Sequence, residues 1–77
     1  MPRVVEGKLE RISAQVFNIK EKASESQLEI RKDDGSLIQE WFYGNVPLDY
    51  IGKKVLFSSR EFIILGYSFV RQKLKLI

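Results

Sequence analysis

The chain has 77 residues, 44% hydrophobic and 30% charged, with nine aromatics and neither cysteine nor histidine. A domain this short buries only about 60% of its unfolded surface and often recruits a disulfide or structural metal, yet the usual zinc sites, thiol chemistry and histidine-based triads are all excluded here. The expectation is a single folded domain over residues 1–77 that binds without catalysis and without cofactor or metal.

The net charge of +3 is unevenly spread. Up to Asp49 there are seven Lys/Arg against nine Asp/Glu, a balance of −2; from Tyr50 on there are six against one, a balance of +5. Such asymmetry suits a polyanion-binding face, and a solvated strand face gives the same pattern. The longest pure apolar run is Phe62-Ile63-Ile64-Leu65, far short of the roughly 20 residues of a membrane span. No membrane partner is expected. The opening residues lack a signal-peptide pattern, so the expected location is cytoplasmic.

In chain order, residues 4–20 are long for one strand. Val5, Gly7 and Leu9 share one parity and Ile12, Ala14 and Val16 the other, which predicts a bulge near Glu10-Arg11. Residues 20–25 read as an exposed loop. A hairpin follows, with strands at about 26–32 and 36–43 around Asp33-Asp34-Gly35-Ser36, since Asp-Gly tolerates positive φ. Pro47 and Gly52 bracket one helical turn. Residues 54–58 and 62–65 read as strand, with Ser59-Arg60-Glu61 as a turn or bulge between them. Gly66-Tyr67-Ser68 turns the chain into a last strand, where Val70, Gln72, Leu74 and Leu76 alternate with Arg71, Lys73 and Lys75. Phe57 and Phe62 are expected in the core. Paired carboxylates at Asp33-Asp34 are better explained by the turn than by catalysis.

Five short strands bury one core most economically when a single sheet curls into a small closed barrel, which also removes exposed edges. In this arrangement the sequence resembles the OB-fold single-stranded nucleic-acid-binding family, as in replication protein A and related archaeal proteins. Val5-Glu6-Gly7-Lys8-Leu9 resembles the curled first strand of that family, Asp34-Gly35 through Tyr43-Gly44 its second and third strands, and Ile51-Gly52-Lys53-Lys54-Val55 the approach to its fourth. The resemblance implies an all-β fold, a small five-stranded OB-like Greek-key barrel with one short helical turn between strands three and four. One departure stands out: Glu40 shares a parity with Ile38 and Phe42. Either Glu40 faces inward, or a bulge shifts the register, or the two faces are reversed.

The resemblance further implies a single-stranded DNA or RNA partner, held by base stacking and phosphate contacts. Its surface would comprise Arg31 on the second strand, Trp41 and Tyr43 on the third, Lys20 and Lys22 in the first loop, Tyr67 after the fourth strand, and Arg71, Lys73 and Lys75 on the last. Glu21, Glu25 and Glu29 lie close by and would oppose a polyanion. The alternative is a small β-barrel serving protein interaction or self-association through an exposed aromatic surface. An SH3-like barrel on duplex DNA fits less well, because Lys/Arg exceed Asp/Glu by only 13 to 10.

Overall fold

The computed structural model describes residues 2–19 and 23–77. It contains β1 (Arg3–Asn18), β2 (Ala23–Arg31), β3 (Leu37–Tyr43), one 3₁₀ turn (Leu48–Tyr50), β4 (Lys54–Ile64) and β5 (Tyr67–Leu76). All five strands lie in one antiparallel sheet of order β3-β2-β1-β4-β5. The sheet is not closed by a ladder, and β3 and β5 are its edges.

β1 serves two neighbours in succession. Its first part pairs with β4, from Arg3↔Ser59 to Lys8↔Lys54, and its remainder pairs with β2, from Lys8↔Arg31 onward. The expected bulge is present as a register shift between Leu9 and Arg11, and a second follows between Ile12 and Ala14. The first shift sets Ile12 opposite the buried Leu28; after the second, Ala14 and Val16 stand opposite Gln27 and Glu25 on the outer face, and Val16 is exposed. Both shifts bend the strand. Gly7 sits where β1 passes from one partner to the other. A Cβ there would collide with the Arg31 carbonyl, so only glycine admits this approach.

Three expectations about the strand layout need correction. β2 begins at Ala23, so residues 23–25 are strand rather than loop: they pair with β1 through Asn18↔Ala23, Phe17↔Ser24 and Val16↔Glu25. No turn interrupts β4 at Ser59-Arg60-Glu61, because its ladder with β5 runs unbroken from Val55↔Leu76 to Ile64↔Tyr67. The hairpin reverses at Leu65-Gly66, with positive φ at both residues, and Tyr67 already belongs to β5.

Val5, Leu9, Leu28, Ile30, Val46, Val55 and Phe57 form the buried core, with Ile12, Ile38, Phe42, Tyr50 and Leu74 packed against it. The ladders place these side chains on one face: Val5 opposes Phe57, Ile30 opposes Ile38, and Phe57 opposes Leu74. Phe62 is not among them. It pairs with Phe69 on the outer face, beyond the end of β1.

Glu40 does face inward and is buried, opposite Leu28. Its carboxylate is paired with the Arg3 guanidinium, which reaches it from β1. A charge in that position is tolerated because it is paired and hydrogen-bonded. Trp41, of opposite parity, therefore points outward and is 42% exposed.

Candidate functional site

Although β3 and β5 share no ladder, one side chain joins them. The Gln72 carboxamide oxygen accepts from the Tyr43 N–H at 2.8 Å, and its NH₂ donates to the Trp41 carbonyl at 2.9 Å. An amide side chain thus stands in for the backbone amide of a missing ladder pair. The same NH₂ lies 3.4 Å from the Ser59 hydroxyl. Two edges at opposite ends of the sheet order can meet this way only if the sheet curls strongly. A cleft of about 440 Å³ runs along this seam, lined by Arg3, Gln39, Trp41 and Tyr43 on one side and by Glu61, Val70 and Gln72 on the other.

The outer face of the β4–β5 ribbon is ordered by its register. Counting inward from the turn, the cross-strand pairs are Ile64/Tyr67, Phe62/Phe69, Arg60/Arg71, Ser58/Lys73 and Leu56/Lys75. The two phenylalanine rings stack, with centroids 5.7 Å apart and planes at 22°. Next to them two arginines face each other directly, an arrangement that disfavours the sheet through like-charge repulsion. Among the described residues, Arg60, Arg71 and Lys73 form no ion pair, in contrast to Arg3, Arg11, Arg31 and Lys54. Tyr43 lines a second cleft together with Phe62, Phe69 and Arg71, which connects the ribbon to the aromatic face of β3.

The residues singled out from the sequence fall into separate groups. Trp41, Tyr43 and Arg71 gather around the seam. Lys73 lies in an adjoining depression with Arg3, Arg60 and Arg71. Lys75 continues the same strand face two residues further on, opposite Leu56. Tyr67 sits beside the turn and is 71% exposed. Arg31 is elsewhere: its guanidinium pairs with Glu10 at 3.1 Å and donates to the Gly35 carbonyl at 2.9 Å, at the β2–β3 turn. Lys20 and Lys22 lie outside the described residues.

The acidic residues expected to oppose a polyanion are partly neutralised. Glu29 is buried and held by Arg11 at 2.8 Å; Glu21 lies outside the described residues. The neighbour of Trp41 on β2 is Gln27, which accepts from Ser13 at 2.8 Å. Trp41 thus has an uncharged direct neighbour, while on the same face Glu25 stands opposite Tyr43 and Glu29 opposite Gln39.

Sequence reasoning missed Arg60, Phe62 and the bridging role of Gln72. The signal for the first two was the shared parity of Ser58, Arg60 and Phe62, which is lost once residues 59–61 are read as a turn. Gln72 was visible as the single polar residue on an apolar parity. What it bridges depends on two strand edges 29 to 31 residues apart in sequence.

Compared with known proteins, the chain matches no family model, no curated protein sequence and no solved structure.

Proposed function

We propose that this chain is a non-catalytic module with an OB-like, partly open Greek-key barrel, and that it binds single-stranded DNA or RNA with little sequence preference. The observation that carries this reading is the unpaired Arg60/Arg71 rung beside the stacked Phe62/Phe69 rung, joined through Tyr43 to Trp41 across the seam. A like-charge rung without acids is unfavourable in the free protein and becomes favourable when a polyanion lies across it. Aromatic faces at the next rung, roughly 7 Å along the strands, supply stacking worth about 1–3 kcal/mol per base. Lys73 and Lys75 continue the phosphate track.

The test is a titration of the protein with oligo(dT) and oligo(U) at low and moderate salt, following Trp41 emission. Quenching is expected, with affinity falling as salt rises. R60Q/R71Q should reduce the slope of log K against log salt by about 1.4, two contacts at roughly 0.7 each for single strands. Unchanged emission and unchanged mobility at low salt would sink the proposal.

A second reading is favoured by the exposure of Trp41 at 42% and Tyr43 at 54%, because large exposed aromatics mark contact surfaces of proteins as well. An assembly module would give a salt-insensitive oligomer in light scattering, with Trp41 shielded from quenchers.

A further inference from the structure

Pairing of β1 with β4 ends at Arg3↔Ser59, so residues 60–71 extend past β1 as a two-stranded ribbon. Its tip is mainly aliphatic and open to solvent: Ile63 is 73% exposed, Ile64 51%, Leu65 91% and Tyr67 71%. Isoleucine and leucine have no π-face on which a base can stack, so a nucleic acid on the neighbouring rungs leaves this tip uncovered. The turn itself adds an independent observation. Leu65 has φ 52° and Gly66 φ 81°, the conformation for which a two-residue hairpin turn strongly favours Asn-Gly or Asp-Gly. A leucine there gives up local turn stability and holds an apolar side chain at the outermost point of the ribbon, the kind of strain that accompanies function.

We propose that this tip inserts into the interface of an anionic lipid bilayer. Leu65 and the Ile64/Tyr67 rung enter the acyl boundary, the Phe62/Phe69 rung lies at headgroup level, and Arg60, Arg71 and Lys73 meet lipid phosphates, so that lipid and nucleic acid compete for these rungs. The spacing fits this layering. With about 7 Å between same-face rungs, the aromatic rung stands about 7 Å and the arginine rung about 14 Å above Ile64/Tyr67. Interfacial elements bury their apolar part by about 5–10 Å, with cations and aromatic rings at the boundary. Charge selects this occupant over a second copy of the chain, because a two-fold contact would set the Arg60/Arg71 rungs close to their own copies. Glu61, the acidic residue of the ribbon, lies on the inner face opposite Val70 and leaves the outer collar wholly cationic. Expecting no membrane partner rested on span length; a peripheral contact has no such requirement.

The test uses the full chain with vesicles of phosphatidylcholine alone and of phosphatidylcholine with 30% phosphatidylserine, by flotation at low and high salt. Binding is expected to the serine-containing vesicles, with loss at high salt. Leu65→Asn introduces a residue the turn prefers, so it should raise the melting temperature while weakening vesicle binding at least tenfold. R60Q/R71Q should weaken it roughly 25-fold, at about fivefold per cation. The inference fails if wild type binds neither vesicle, if L65N binds as tightly as wild type, or if light scattering shows a dimer that shields the tip. Oligonucleotide affinity should be the same for L65N and wild type; a parallel loss would place the tip in the polyanion site and refute the lipid assignment.

Discussion

Replacing Gln72 by methionine probes the joint between the two sheet edges. Methionine keeps the length of the side chain and its apolar stem, but it removes both the acceptor for the Tyr43 N–H and the donor to the Trp41 carbonyl. A net hydrogen bond contributes about 0.5–1.5 kcal/mol. Both backbone partners lie on an exposed edge where water replaces the lost group, so the full penalty of a buried orphan does not apply. The expected loss is about 2 kcal/mol. For a domain of this size that corresponds to a fall in Tm of roughly 8–16 °C. Urea unfolding followed by Trp41 emission should show a lower midpoint with an unchanged slope, and exchange of the Tyr43 amide should accelerate. Ser59→Ala removes only the long 3.4 Å contact and serves as a control expected within about 0.5 kcal/mol of wild type. If Q72M matches wild type to within that margin, and the Tyr43 amide stays protected, then Gln72 does not hold the edges together.

Three further outcomes follow from the fold. Gly7→Ala should destabilise by about 1–3 kcal/mol or more, read from urea unfolding, because the new methyl group meets the Arg31 backbone rather than a side chain that can rotate away. Arg3→Ala leaves the buried Glu40 carboxylate without its partner and should lower stability by about 1–3 kcal/mol, whereas Glu40→Leu, which removes the buried charge itself, should be neutral or stabilising. At the β2–β3 turn the Asp34 carboxylate accepts hydrogen bonds from the Ser36 hydroxyl and then the Ser36 N–H, and these hold its pKa below the ordinary aspartate value. A depressed carboxylate stabilises the fold above its unfolded pKa, and the contribution is lost as pH falls through the folded value. Thermal melts across the acid range should therefore show a shallower dependence for Asp34→Asn than for wild type.

Much of the strand layout was legible because hydrophobic alternation reports directly on which side of a sheet a residue occupies. The Asp-Gly turn, the bulge near Glu10-Arg11 and the helical turn after Pro47 all rest on local backbone preferences. Residues 59–61 were misread because Ser-Arg-Glu carries turn-like polarity, while the ladder with β5 supplies hydrogen bonds that override it. The candidate site was less visible. Arg31 looks like a free cation in sequence but is occupied by Glu10 and the Gly35 carbonyl, partners placed by the bend of β1 and by the turn.

The sequence alone determined an all-β chain without cysteine, histidine or a membrane-length apolar run, with its positive charge gathered after Tyr50. Composition and period-two patterning are local properties, and they survive without knowledge of neighbours. Only the tertiary structure decided that Glu40 faces inward against Arg3, that Arg60 stands opposite Arg71, and that Gln72 ties β5 to β3. Each depends on register between strands, distant ones for Glu40 and Gln72 and the two arms of one hairpin for Arg60 and Arg71, where a shift of one residue exchanges the two faces of the sheet.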